Sequence, residues 1–224
     1  MSGVRIARVA GLVNAFLVDE DDGLTLIDTT MDPGAAKAIL GAAERHGRPI
    51  VRIALTHAHQ DHIGGLDSLA AQLPDAEVLI GDRDARLLSK DKTPDPGEPA
   101  DAKYRGGYSG AKTKPTRTLQ PGDRVGSLEV IPAPGHTPGQ VAYLDTRDRT
   151  LYAGDAFSTL GGVAVPAKPN PRFPILWFAT WHRPTALETA RALRALNPSA
   201  LAVGHGKTVS NPGAAMDAAI AKAS

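Results

Sequence analysis

The stretch Thr56-His57-Ala58-His59-Gln60-Asp61-His62-Ile63-Gly64-Gly65 sets three imidazoles and a carboxylate within six residues. Residues 50–56 ahead of it read as a buried-type strand, and a short helix is expected behind it over about residues 64–73. His57 and His59 are two apart, so in extended backbone they project to the same side and can pinch one ion. Asp61 and His62 come after the chain has turned; adjacent side chains diverge, which lets this pair serve a second ion close to the first.

Two more clusters lie downstream, Pro134-Gly135-His136-Thr137-Pro138-Gly139 and Gly204-His205-Gly206, and Tyr152-Ala153-Gly154-Asp155 adds a carboxylate. Five of the seven histidines thus fall in three short clusters. With Asp61 and Asp155 they make a set of imidazoles and carboxylates that borderline divalent metals bind well. His136, on a rigid glycine and proline loop, can reach the first ion, and His205, between two glycines, the second. His46 and His182 stand alone and read as polar surface or capping residues.

Electrostatics gives Asp155 its role. Two dications about 3.5 Å apart repel by on the order of 20 kcal/mol even at an effective dielectric near ~20, so bridging anions are required. Asp155 can supply one and a hydroxide the other.

The chain has 224 residues, 42% hydrophobic and 22% charged, enough for one domain over residues 1–224 with a sizeable core. A formal charge of +1 gives no field to gather a polyanion, so neither nucleic acid nor an acidic membrane is expected as a partner. There is no cysteine, which excludes thiolate ligands and disulfides and fits a reducing, cytoplasmic location. Arg5 and Arg8 before an apolar run at residues 9–18 imitate an export signal. Asn14 interrupts that run, however, and no A-x-A-like cleavage site follows. No apolar stretch approaches the ~20 residues of a membrane span.

Residues 4–9, 12–18 and 24–28 read as antiparallel strands turned at Gly11 and Asp22-Gly23. A helix follows, with Asp32 as N-cap, Pro33 in its first position, a stripe of Ala36, Ile39, Leu40 and Ala43, and an end near Gly47. Residues 77–80 form a strand, and 90–117 a long loop that can cover the site. Strands return at 124–133, 141–145 and 150–154. Thr185-x-x-Glu188 has the capping-box pattern for a helix through Leu196, residues 200–203 form a strand, and 212–223 a helix capped by Asn211. Every histidine cluster follows a strand, so the ligands can meet at one sheet edge.

These motifs resemble the metallo-β-lactamase fold superfamily, and within it the glyoxalase-II-like small hydrolases, over nearly the whole chain. Val13-Asn14-Ala15-Phe16-Leu17 resembles the opening strand. The resemblance implies an α/β (α+β) fold, a four-layer αββα sandwich. It implies that His57, His59 and His136 take a first metal, that Asp61, His62 and His205 take a second, that Asp155 bridges, and that Asp28 braces the site without binding metal. It further implies two divalent ions, most readily zinc, with iron and manganese tolerated, and a bridging hydroxide that attacks the acyl carbonyl of a small substrate. Asp61 and Asp155 then carry catalysis.

Departures narrow the expectation. The bridging Asp155 and the lack of cysteine disfavour β-lactam hydrolysis as the main task. Ser158 stands where lactonases of similar pattern carry tyrosine, and only 19 residues follow His205, too few for a glutathione-gripping extension. An ester, thioester or lactone hydrolase remains; the alternative is a persulfide dioxygenase with one iron, for which the complete second ligand set has less reason to exist.

Both tryptophans and three of the four phenylalanines lie between Phe157 and Trp181. This segment either packs, or meets a second copy of the chain as a homodimer contact, or forms an apolar wall for an acyl group. In the last reading Phe157, Trp177 and Trp181 line the wall, and Tyr104 or Tyr108 closes over it from the long loop.

Overall fold

The computed structural model describes residues 3–8, 12–31 and 34–224. Strands β1 (Gly3–Arg8), β2 (Val13–Glu20) and β3 (Gly23–Ile27) form an antiparallel meander. Strands β4 (Ile50–Ala54), β5 (Glu77–Gly81) and β6 (Arg117–Leu119) then add in parallel, in chain order. The second sheet holds β7 (Arg124–Val125), β8 (Leu128–Pro132), β9 (Val141–Asp145), β10 (Thr150–Tyr152), β11 (Ala200–Ala202) and β12 (Val209–Ser210), in the order β12-β11-β10-β9-β8-β7. Its neighbours are antiparallel except β10 and β11.

Strand alternation builds three apolar layers, because successive side chains face opposite sides of a sheet. Phe16, Ile27, Leu79, Leu128, Val130, Tyr143 and Tyr152 meet between the two sheets. On the outer face of the first sheet, Leu17, Leu26, Ile53 and Ile80 receive Ala36 and Ile39 of α1 (Ala35–His46), Leu66 and Leu69 of α3 (Leu66–Gln72), and Leu87 and Leu88 of α4 (Asp82–Leu88). The short α2 (Gln60–Ile63) precedes α3, and α5 (Ile175–Ala179) precedes α6 (Arg183–Ala195). Outside the second sheet, Leu144, Leu151 and Leu201 receive Ala190 and Leu193 of α6 and Met216 and Ala219 of α7 (Gly213–Ala223). The result is the expected αββα sandwich. Among the described residues no helix is long and apolar enough to cross a membrane.

Local differences have identifiable causes. The expected strand at 124–133 is broken into a hairpin at Gly126, whose φ of +58° suits glycine. The buried Glu20 carboxylate fixes that turn, accepting from the Ser127 N–H (2.9 Å) and Oγ–H (2.8 Å). Helix α6 opens three residues earlier than its capping-box pattern indicates: His182 is the cap, its Nδ1 2.7 Å from Thr185 Oγ1 and accepting from the Thr185 N–H. Helix α1 ends as expected at Gly47, which turns left-handed and returns its N–H to the Ala43 and Glu44 carbonyls. The expected cap at Asp32 and Pro33 and the turn at Gly11 lie outside the described residues.

A buried side-chain hydrogen bond helps tie the sheets together beneath the histidine stretch. Tyr143, fully buried, donates its hydroxyl to the Leu55 carbonyl at 2.7 Å, two residues before His57. Burial pushes its phenol well above the usual range, so it stays a donor. Tyr143→Phe keeps the apolar fill and strands that carbonyl; denaturant unfolding should show a loss of about 1–2 kcal/mol.

Candidate metal centre

The strands converge at one edge and each delivers a piece of the site. Strand β4 runs into His57 and His59, and α2 carries Asp61 and His62. His136 follows β8, Asp155 follows β10 and His205 follows the parallel strand β11. Helix α2 lies inside the motif, and Gly64 and Gly65 separate it from α3, where one later helix was expected. A Cβ on Gly64 would stand 2.0 Å from the Met31 carbonyl oxygen, and one on Gly65 2.5 Å from that of Thr29. Only glycine lets residues 29–31 lie against the motif, where the Thr29 N–H reaches the His62 carbonyl at 2.7 Å.

Each of the five imidazoles is fastened by its outer nitrogen. His62 Nδ1 donates to Asp28 Oδ2 (2.8 Å), His59 Nε2 to the Arg105 carbonyl (2.9 Å) and His205 Nδ1 to the Leu12 carbonyl (2.7 Å). His57 Nδ1 is 3.0 Å from Thr56 Oγ1, whose proton goes to Asp28 Oδ2 at 2.8 Å. His136 Nδ1 is likewise 3.0 Å from Thr180 Oγ1, which donates to the Leu176 carbonyl at 2.7 Å. Both hydroxyls have spent their proton, so both imidazoles are the donors. The tautomer of every ring is thereby set, and every inner nitrogen faces the centre.

The inner atoms meet in two sets. Ligating atoms of His57, His59 and His136 lie within 4.8 Å of one another, as do those of Asp61, His62, Asp155 and His205. Asp155 straddles them: Oδ2 is 3.1 Å from His205 Nε2 and 3.4 Å from His136 Nε2, while Oδ1 is 3.4 Å from His62 Nε2. Asp61 Oδ2 is 3.2 Å from His205 Nε2. His57 Nε2, His62 Nε2 and Asp155 Oδ1 are buried without a hydrogen bond. Buried polar atoms without partners are costly, and these point at a common space ringed by nitrogen and oxygen donors. The residues fit divalent cations, with three imidazoles for one and Asp61, His62 and His205 for another.

Protonation follows the same division. Burial holds His57 well below the usual imidazole range, His59 down to about 4 and His136 down to about 3, so this trio offers free lone pairs. Burial also opposes charge on His62 and His205. The Asp155 carboxylate, aided by Asp28 and Asp61 at His62 and by Asp61 at His205, wins, lifting His62 well above its usual range and His205 to about 10. For Asp61 and Asp155 burial pushes upward, and the neighbouring His62 and His205 pull both below the usual carboxylate range. A cation entering this second set displaces protons from His62 and His205.

Two residues the sequence reading did not single out for these tasks hold the loops. Asp84, fully buried on α4, accepts from the Ala58 N–H (2.9 Å), Thr137 Oγ–H (2.8 Å) and Gly139 N–H (2.8 Å), knitting the His57–His59 segment to the His136 loop. A carboxylate just past a strand end was its only signal. Asn14 Nδ2 donates to the carbonyls of Val203 and Gly206, 2.7 Å each, clamping the His205 loop on both sides. Thr180 carried no signal at all.

A cavity of about 280 Å³ opens on this cluster, and its apolar lining is Met31, Phe173, Ile175, Leu176 and Ala179. From the 157–181 segment, Phe173, Ile175, Leu176 and Ala179 thus border the cavity, while the expected Phe157, Trp177 and Trp181 do not. Phe157 is fully buried in the outer layer of the second sheet, and Trp181 is buried as well. Trp177 turns its ring to Arg183 instead of the cavity. Tyr104 packs on the core, and Tyr108 lies against the His59 ring at 4.6 Å. The long loop fastens to the site by its backbone: Gly107 accepts from the Gln60 N–H at 2.8 Å.

The family model of the metallo-beta-lactamase superfamily matches residues 8–205. The chain belongs to that superfamily. It is 46% identical over 211 residues to the uncharacterized protein YobT of Bacillus subtilis (strain 168), covering 94% of this chain and 90% of the relative. It is 34% identical over 145 residues to a hydroxyacylglutathione hydrolase of Xanthomonas campestris pv. campestris (strain B100), covering 63% of this chain and 45% of that one, so the match spans less than half of that relative. Among solved structures, TTHA1623 in a di-iron-bound form shares the fold, with a TM-score of 0.68, 23% identity, and coverage of 94% of this chain and 96% of that one.

Two substitutions test the scaffold. Thr180→Val leaves the His136 Nδ1–H without an acceptor, and metal titration should show affinity lower by about 10–100-fold. Burial pushes Asp84 from 3.8 up to about 6. A raised acid stabilises the fold fully below its unfolded value and loses that contribution as pH rises through the folded one. The stability advantage of the metal-free wild type over Asp84→Asn should therefore shrink between pH 3.8 and about 6, then stay level, in denaturant unfolding at stepped pH.

Proposed function

We propose that the protein is a metal-dependent hydrolase carrying two divalent cations, most readily zinc, that cleaves the ester, thioester or lactone bond of a small acyl substrate. One observation carries the reading: two complete donor sets share Asp155, whose two oxygens face His62 on one side and His136 and His205 on the other. A single ion would leave one set of buried donors unmatched.

When bound, the cations supply an acidified water and a Lewis acid for the acyl oxygen. The chain supplies the rest. Asp61 borders the cavity with 26% of its side chain exposed and is held anionic, so it would help hold a cation and could accept a hydrogen bond or proton from water in the cavity. Asp155 stays buried and ionised between the two donor sets. Met31, Phe173, Ile175 and Leu176 present an apolar face on which an acyl chain is oriented and from which water is displaced. The similarity to a hydroxyacylglutathione hydrolase supports an acyl bond as the target. The fold shared with a di-iron-bound protein keeps iron as the second metal to test.

The experiment couples metal analysis to a panel of ester, thioester, lactone, β-lactam and persulfide substrates. Two metals per chain with acyl turnover that chelation abolishes and reloading restores is the expected result; one iron per chain with oxygen uptake overturns the reading. Ile175 is 63% exposed, so Ile175→Ser leaves the core intact. It should lower the preference for longer acyl chains over acetyl by about fivefold or more, measured as the ratio of kcat/KM values.

A further inference from the structure

Beside the cavity, whose lining contains neither lysine nor arginine, two arginines stand without acidic partners among the described residues. Arg183 opens α6, and its guanidinium carbon lies 3.7 Å from the centre of the Trp177 ring. Its Nε is buried and makes no hydrogen bond. Arg105 lies on the strap whose backbone crosses the site: its carbonyl holds His59, and the next residue, Gly106, lines the cavity close to His59 and Ala179. The Lys103 N–H donates to the Trp181 carbonyl at 3.1 Å, which lays this strap along the α5–α6 junction. Among the described residues neither arginine forms an ion pair, although the acid nearby, Asp101, is placed 3.5 Å from His182 Nε2.

This arrangement is unfavourable on three counts. A cation sits at the N-terminus of a 13-residue helix, where the peptide dipoles favour an anion. A buried guanidinium N–H has no acceptor. Burial and the Arg105 charge together draw the Arg183 proton affinity below its usual value, whereas among the described residues the half-buried Arg48, Arg52, Arg83, Arg86 and Arg194 all have carboxylates. An anion beside the two side chains offsets the first and third of these, and the flat Trp177 face holds one guanidinium fork in place for it.

We infer that the substrate of this hydrolase carries an anionic group, a carboxylate or a phosphate, that docks between Arg105 and Arg183 on the Trp177 face while its apolar portion lies along α5 toward the metal centre. This rests on the hydrolase reading above and narrows its substrate class. The apolar face along α5 takes the acyl group; the arginines at the cavity's edge select the charged end.

The test compares the metal-loaded protein on p-nitrophenyl pentanoate and on the mono-p-nitrophenyl ester of glutaric acid, which differ by a terminal methyl against a carboxylate. The wild type should favour the anionic ester by about tenfold or more in kcat/KM, chiefly through KM, as a charge-assisted pair requires. Arg183→Gln should bring the ratio near one and Arg183→Lys should keep part of it. A ratio cancels any general loss of activity in the variants. An unchanged ratio in Arg183→Gln, or a wild type that prefers the neutral ester, overturns the inference. If neither ester turns over, the hydrolase reading fails separately, and titration of the arginine-labelled, metal-loaded protein with inorganic phosphate and with glutarate still decides the anion docking. A saturable shift of the Arg183 Nε–H resonance supports it, and the tighter of the two anions identifies the group; no shift with either sinks it.

Discussion

Five imidazoles and two carboxylates gathered in a nearly dry space are tolerable only if every nitrogen has a fixed task, and the outer hydrogen bonds assign those tasks. Asp28 is the node. It accepts from the Thr56 N–H, the Thr56 hydroxyl and His62 Nδ1, and so orients His57 at one remove and His62 directly. Its backbone adopts φ +58° and Thr30 φ +61°, a left-handed conformation that non-glycine residues seldom adopt. Such strain persists where surrounding bonds over-determine it, here the seam between residues 29–31 and the histidine stretch.

The apolar layers make this precision affordable to the loops. Strand ends enter the site from sheets packed on both faces, so the catalytic edge inherits the rigidity of the core. Cross-ties then join segments distant in sequence: Tyr143 links β9 to the residue after β4, Asp84 links α4 to the His57 and His136 loops, and Asn14 links β2 to the His205 loop. Gly204 shows how tight the assembly is, since a Cβ there would lie 2.2 Å from Asp155 Oδ1.

Around the metal centre polarity is divided by position. Ionised groups sit at the floor, an apolar face rises along α5, and Arg183 stacks on Trp177 at the α5–α6 junction. Large aromatics were expected to form the apolar face because they are concentrated in that segment. Instead Phe157 and Trp181 pack inward, where more area is removed from water, Trp177 stacks against Arg183, and Phe173 with the smaller side chains at 175, 176 and 179 borders the cavity.

Sequence by itself determined the chemistry and the layers. Imidazoles and carboxylates in short clusters after strands, with no thiol to compete, specify nitrogen and oxygen ligation, and the period-two and helical patterns specify which faces are buried. A local turn set by a distant partner escaped it at Gly126, held by Glu20; at the α6 cap the competition was local, and His182, read as a surface or capping residue, took the place of the expected Thr185. Only tertiary structure decided which nitrogen of each ring points inward, that Asp84 and Asn14 hold the loops while Thr180 orients His136, and which residues of the 157–181 segment face the cavity. Those outcomes depend on hydrogen bonds and contacts between residues far apart in the chain, and no local pattern encodes a partner that arrives from another strand.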